Sequence, residues 1–189
     1  MKAVIPSAIR LFLIMTLLTG VIYPLTVTGL AMGLFLYRAG GSLLRRDGQV
    51  IGSELLAQRF RDPAYFWPRP SASDYGTVPS GASNLGRMSA SLADLVRERE
   101  VRLKRAHSHQ GAVPADLLFA SGSGLDPHLS PEAVWYQMER IAGARGFGPE
   151  GRLRLRELVQ RRYETPQWGF LGKPRVNVLL LNLDLDRME

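Results

Sequence analysis

The sequence predicts an α/β chain, α+β in its ordering, with one N-terminal transmembrane helix and a small domain built from a mixed sheet and several helices. Three observations predict it. Residues 11–36 carry no charge over 26 positions. Capped apolar stripes at helical spacing recur between residues 91 and 163. Residues 175–186 alternate side chains with the period of a strand. The expected organisation is an anchor over 1–37 and a domain over 38–189.

The uncharged run reads LFLIMTLLTGVIYPLTVTGLAMGLFL. As a helix it spans roughly 39 Å at about 1.5 Å per residue, enough to cross a hydrocarbon core of roughly 30 Å with some tilt. A cleaved signal peptide has an apolar stretch of about 7–15 residues and a small-residue cleavage site, and this run is longer, with no A-x-A after it. Gly29 and Gly33 form a G-x-x-x-G that lets another helix approach closely. Gly20 and Pro24 belong to the same candidate packing region, and Pro24 should kink the helix. The threonines can bond back to their own helix. Flanking charge is close to a tie (Lys2 and Arg10 before, Arg38, Arg45 and Arg46 after), so it does not orient the helix.

Over the whole chain 24 Lys and Arg face 17 Asp and Glu, a formal +7. All but Lys2 and Arg10 of these lie beyond residue 37, which leaves the domain at +5. At 46% hydrophobic and 22% charged the chain has the composition of a folded protein. With no cysteine, a disulfide scaffold, thiol catalysis and Cys-ligated metals are excluded. Three histidines, His107, His109 and His128, are too few for a His-rich metal site, so no metal is expected.

Along the domain, residues 49–60 read as an extended piece followed by a helical turn over 54–60. Residues 61–88 hold four prolines, three glycines and four aromatics, and read as a long loop. A loop of that length in a compact domain is usually functional, and Tyr65-Phe66-Trp67 can bury substantial area. Ser91 is expected to open a helix with Asp94 completing a capping box. Leu92, Leu95, Val96 and Leu103 form its apolar stripe, and Glu98–Arg102 and Glu100–Lys104 are favourable pairs on its wet face. Residues 113–120 read as a buried strand. Ser130-Pro131 supplies an N-cap and first position for a helix with Val134, Met138 and Ile141 inward and Gly146 at its end. Pro149 opens another through about Tyr163, burying Leu155, Leu158 and Val159. The last strand covers 175–186.

For chemistry, Ser121, Ser123, Asp126 and His128 crowd one segment, and a membrane-anchored serine hydrolase using Ser123 and His128 is the alternative reading. The elbow G-x-S-x-G is not matched, because Ser121 stands two before Ser123. Turn-making glycines and a capping Ser130 explain the segment structurally. The lysines are Lys2, Lys104 and Lys173, and Lys173 precedes Pro174, so there is no P-loop. Arg152, Arg154, Arg156, Arg161 and Arg162 come with no nucleic-acid-binding motif, and no nucleic acid partner is expected.

Spread along the chain are Thr19-Gly20-Val21-Ile22-Tyr23-Pro24, Gly41-Ser42-Leu43, Tyr65-Phe66-Trp67-Pro68-Arg69-Pro70-Ser71-Ala72, Ser83-Asn84-Leu85-Gly86, Pro114-Ala115-Asp116-Leu117, Ala120 through His128, Ser130-Pro131, Gly169-Phe170-Leu171-Gly172, Pro174-Arg175-Val176-Asn177-Val178 and Leu181-Asn182-Leu183. On these residues, in this order, the chain resembles the C subunit of the Kdp-type potassium-transporting ATPase family. It departs from the family at Arg87-Met88-Ser89-Ala90. The resemblance implies a non-catalytic accessory subunit of a high-affinity ATP-driven potassium uptake complex. It implies a single pass through the inner (cytoplasmic) membrane, a cytoplasmic N-terminus and an extracytoplasmic domain. The implied partners are a channel-like potassium-binding subunit, a P-type ATPase subunit, a small single-helix subunit and membrane lipid. The subunit would stabilise the assembly and raise the ATP affinity of the ATPase subunit as a catalytic chaperone. No cofactor is bound covalently, and ATP is met only in complex with the ATPase subunit. Gln137 matches the family glutamine linked to nucleotide, though a helix-surface or packing role is the bet. Tyr65, Phe66, Trp67, Arg69, Asn84, Asp126 and His128 are the subunit-contact candidates. Asp184 and Asp186 are expected to face the potassium path.

Overall fold

The structure, a computed structural model, describes residues 4–107 and 111–188, so His109 lies outside the described residues. It divides into two compact units, Met1–Ser53 and Glu54–Glu189.

The first unit begins with a helix over Val4–Leu34, 31 residues long and apolar enough to cross a membrane. It consists of α1 (Val4–Leu17), a π-helical turn (Leu18–Ile22) and α2 (Tyr23–Leu34), followed by the single turn α3 (Leu36–Ala39). The π turn stands immediately before Pro24, where a kink is expected. Pro24 has no N–H to give, and the N–H of Tyr23 reaches back five residues to the Leu18 carbonyl. Thr19 donates its hydroxyl to the Met15 carbonyl at 2.7 Å, one of the expected back-bonds. A hairpin follows, β1 (Leu43–Arg46) antiparallel to β2 (Gln49–Ser53). Asp47 (φ 52°) and Gly48 (φ 78°) make the two-residue turn, whose left-handed backbone suits the twist of the paired strands. The Asp-Gly pair announces this hairpin, of which the sequence reading saw only the second strand.

The second unit contains α4 (Ala90–Ala106), α5 (Ala115–Leu118), β3 (His128–Leu129), α6 (Pro131–Ala144), α7 (Pro149–Arg161), β4 (Tyr163–Glu164), β5 (Arg175–Asn177), α8 (Val178–Leu185) and a 3₁₀ turn, Asp186–Met188. Its sheet is three short strands in the order β3-β5-β4, both pairings antiparallel. The expected mixed sheet is therefore corrected. A parallel neighbour needs a single crossover, whereas β4 and β5 are joined through a turn and two helices separate β3 from β4. Around α6 the core gathers Phe66, Leu129, Val134, Ile141, Leu155, Val159, Val176 and Leu181, all 0–1% exposed.

Helices α6 and α7 follow the expected caps and stripes. Ser130 accepts the Ala133 N–H at 3.3 Å, and Gly146 takes φ 65° at the end of α6. Four expectations fail. No helical turn forms over 54–60, where only a short turn precedes irregular chain. The cap of α4 is Ser89, not Ser91, and only Leu103 of its stripe is fully buried. The predicted strand over 113–120 is the single helical turn α5, started by Pro114, whose fixed φ suits a helix entry. The predicted strand over 175–186 stops at Asn177. The Asn177 side chain caps α8 by accepting the Leu180 N–H at 3.1 Å and donates to the Glu54 carbonyl at 2.8 Å. Helix α8 buries Val178, Leu179, Leu181, Asn182 and Leu185 on several sides. A helix so enclosed shows no one-sided stripe, and a short apolar run mimics a strand.

Candidate functional site

The loop over 61–88 carries no helix or strand up to its end, as its composition implies. It nevertheless threads Phe66 into the core at 0% exposure. Buried backbone needs hydrogen-bond partners, and two side-chain amides supply them. Asn182 of α8 accepts the Phe66 N–H at 2.9 Å and donates to the Phe66 carbonyl at 3.0 Å. Gln137 of α6 accepts the Trp67 N–H at 2.8 Å and donates to the Trp67 carbonyl at 3.1 Å. Each amide thus imitates a neighbouring strand for one residue of the loop.

Gln137 has 0% exposure, and its remaining capacity is used as well. Its amide donates to the Ala133 carbonyl at 3.2 Å and accepts from Arg140 at 2.8 Å. The residue is interior, so of the two expected roles, helix surface or packing, it takes the packing one. Arg140 extends the clamp. Its Nη2 donates to the Tyr65 carbonyl at 2.9 Å, its Nη1 to the Pro63 carbonyl and its Nε to His107 Nε2 at 3.0 Å, while the guanidinium lies 4.0 Å from the Trp67 ring centre. Burial pushes the Arg140 pKa down to about 10, against the opposing pull of Asp62, so it stays charged at neutral pH. His107 is 1% exposed, and its Nδ1 faces the Leu103 carbonyl at 2.8 Å. A carbonyl only accepts, so Nδ1 carries the proton and Nε2 receives Arg140: the ring is neutral. Arg145 donates to the Ala64 carbonyl at 2.9 Å, pairs with Asp186 at 3.1 Å and lies 5.0 Å from the Tyr65 ring centre. The hydrogen bond to Asp186 raises the Tyr65 pKa, with burial adding to it.

Sequence reasoning missed Arg140, Arg145, Asn182 and His107. One signal was present for the first: Gln137 and Arg140 interrupt the apolar stripe of Val134, Met138 and Ile141, and polar residues on a core face need partners.

Further along the loop, Arg69 pairs with Asp126 at 3.0 Å. Asp126 also accepts the His128 backbone N–H at 3.0 Å and faces the His128 ring at 3.3 Å. Burial alone would raise the Asp126 pKa, but the two His128 hydrogen bonds and the Arg69 charge outweigh it and hold it below the ordinary carboxylate value. Ser121 accepts the Asp126 N–H at 3.4 Å and Ser123 the Leu125 N–H at 3.0 Å, so both hydroxyls brace the turn. At Gly124 (φ 72°) a Cβ would stand 2.8 Å from the Ser73 hydroxyl, because the loop lies directly on this turn.

The candidates therefore separate. Tyr65, Trp67, Arg69, Asp126 and His128 are half-buried and lie where the loop meets the domain, whereas Phe66 is wholly interior and presents nothing to a partner. Asn84 is exposed with φ 53°. Asp184 is engaged by Arg162 at 2.5 Å and by Arg187 at 3.3 Å, and Asp186 by Arg145, so both carboxylates hold arginines of the fold. Within the first unit, Gly20, Pro24, Gly29 and Gly33 are exposed, and a Cβ at Gly29 or Gly33 would meet nothing within 4 Å. Another exposed feature is the turn where Gln167 pairs with Leu171. Trp168 and Phe170 stand on it, each 77% exposed. Among the described residues no group of three or more His, Asp and Glu side chains could hold a metal ion.

Comparison with known proteins places the whole chain. The profile of the family described as KdpC, K+-transporting ATPase, c chain, matches residues 5–187. The chain is similar to the potassium-transporting ATPase KdpC subunit of Polaromonas naphthalenivorans, 49% identical over 193 residues that cover 100% of this chain and 97% of that protein. The KdpC subunits of Leptospira interrogans and Rhodospirillum rubrum are 48% and 52% identical, covering 97% and 95% of this chain and 93% of each of those proteins. A profile match running from the membrane-length helix to the final 3₁₀ turn, with relatives near half identity over their full length, means that the chain belongs to the KdpC family of potassium-transporting ATPase c chains.

Proposed function

We propose that this chain is the non-catalytic accessory subunit of a high-affinity ATP-driven potassium uptake complex, where it stabilises the assembly of the potassium-binding and ATP-hydrolysing subunits. The observation that carries this reading is the end-to-end match to the c chain of potassium-transporting ATPases. The geometry fits it. The residues with the most chemical potential are engaged within the fold: Gln137, Arg140 and Asp126 hold the loop against the domain, and Ser121 and Ser123 brace the turn before Asp126.

In this proposal the helix Val4–Leu34 crosses the inner membrane once, with the N-terminus cytoplasmic and the following domain outside. Its open Gly29 and Gly33 face receives a helix of a partner subunit. The channel-like potassium-binding subunit, the P-type ATPase subunit and a small single-helix subunit are the partners. Any effect on ATP affinity is a coupling through the assembly, because Gln137 is enclosed and fully hydrogen-bonded. The test is purification of the assembled transporter with and without this chain, followed by potassium-stimulated ATP hydrolysis. The expected result is co-elution of the chain with the ATPase subunit and hydrolysis lost when it is omitted. A chain that elutes alone, or that reacts alone with a serine-directed fluorophosphonate, overturns the proposal.

A further inference from the structure

Between the loop and α4 lies a cavity of about 620 Å³. Four arginines line it, Arg59, Arg61, Arg99 and Arg102, against two acids, Asp74 and Glu98. Asp74 is already taken by Arg59. Arg99 spends one N–H on the Leu118 carbonyl at 2.7 Å, and burial together with the neighbouring Arg102 charge lowers its pKa. Arg61 and Arg102 are exposed and have no ion-pair partner among the described residues, so of the two expected pairs on α4 Glu100–Lys104 forms and Glu98–Arg102 does not. The cavity thus concentrates positive charge that the fold does not itself neutralise.

Apart from Ser71, its remaining walls are aromatic, proline or aliphatic. Trp67, Pro68, Pro70 and Tyr75 come from the loop, and Leu103 and Leu117 close the inner side. These walls are held in place: Gln137 fixes the Trp67 backbone, and the Tyr75 hydroxyl donates to the Arg69 carbonyl at 2.8 Å. Guanidinium groups pair bidentately with carboxylates, and rigid aromatic and proline faces offer contact area to hydrocarbon. An inorganic anion would use the first feature and waste the second. A polypeptide segment carrying acidic side chains beside apolar ones uses both.

We propose that this arginine-rimmed cavity is the docking site for an acidic segment of a partner subunit. This rests on the reading of the chain as an accessory subunit and specifies where one partner is held. The carboxylates of that segment meet Arg61 and Arg102, and its apolar side chains lie on Trp67, Pro70 and Tyr75.

The experiment uses the full chain co-expressed with the other transporter subunits. Because Arg61 and Arg102 are exposed and make no side-chain hydrogen bond or ion pair among the described residues, Arg61→Glu/Arg102→Glu is expected to leave thermal unfolding of the chain nearly unchanged. Retention of the chain in the detergent-purified complex is expected to fall by about tenfold or more, roughly one factor of ten per 1.4 kcal/mol of lost pairing. Retention by the original chain is expected to weaken as sodium chloride rises, and Arg61→Lys/Arg102→Lys is expected to keep most of it. A benzophenone amino acid in place of Tyr75 is expected to crosslink to a carboxylate-rich stretch of a partner. If the glutamate pair is retained like the original, or if the crosslink maps to a stretch without acids or to lipid, the docking proposal is overturned and the accessory-subunit reading stands. Retention lost equally in the lysine pair overturns the charge argument. If the unsubstituted chain is not retained at all, both readings fall.

Discussion

Trp67 and Gln137, seventy positions apart, exchange two hydrogen bonds of 2.8 and 3.1 Å between the backbone of one and the side chain of the other. Asn182 does the same for Phe66. Adjacent loop residues are therefore held by amides from two different helices, and Phe66 and Trp67 have both backbone groups paired as strand residues would, although the loop contains no strand.

Gln137→Leu leaves the Trp67 N–H and carbonyl enclosed without partners. An unsatisfied buried group costs about 1–3 kcal/mol, so the expected effect is destabilisation of roughly 2–4 kcal/mol. Thermal unfolding of the detergent-solubilised chain measures it. An unchanged midpoint would contradict the clasp.

Arg140→Lys keeps a positive charge but replaces a planar fork by a point. Lysine cannot reach Tyr65, Pro63, Gln137 and His107 together. A loss of about 3 kcal/mol is expected, in the range for breaking a buried charged network. The Trp67 environment should loosen in parallel, read as increased quenching of tryptophan emission by acrylamide.

Asp126 supplies a pH dependence. Its folded pKa lies below the ordinary value of 3.8, so the folded state favours the ionised form. The stabilisation is fully present above about pH 5 and is lost as pH falls through the unfolded and then the folded value. Asp126→Asn is expected to lower stability at pH 7 and to flatten this acid limb. Denaturant titrations at pH 7 and pH 3.5 separate the two effects, and equal losses at both pH values would exclude them.

Gly29→Leu/Gly33→Leu tests the open face of the membrane helix. Both substitutions keep it apolar, so membrane fractionation should be unchanged. Association with partner helices is expected to fall severalfold, because leucine blocks close backbone approach. Co-purification with the ATPase subunit is the measurement.

Much of the fold is legible in the sequence where a local signal is also the global one. Ser130-Pro131 and Gly146 bracket α6, and the uncharged run marks the long N-terminal helix. The errors come from segments whose conformation is decided elsewhere. Residues 178–185 are apolar on nearly all sides, so no periodicity tells helix from strand, and the deciding group is the Asn177 cap. The candidate site divides the same way. Ala64 through Arg69 stand out by composition, but their holders, Arg140, Arg145 and Asn182, are joined to them by long-range hydrogen bonds and guanidinium–ring contacts. Linear spacing carries no trace of such pairings.

The π turn over Leu18–Ile22 sets the bearing of everything that follows it in the long helix. One residue adds about 100° of rotation in a regular helix, and this turn absorbs one more residue than an α turn would. Wound as an unbroken α-helix, the same residues would carry Gly29 and Gly33 to a different side of the cylinder, whereas removing a single residue there would restore regular winding and leave them facing as they do. The compass direction of the glycine face is thus written not in the glycines but upstream of them, in the turn before Pro24, which has no N–H to give.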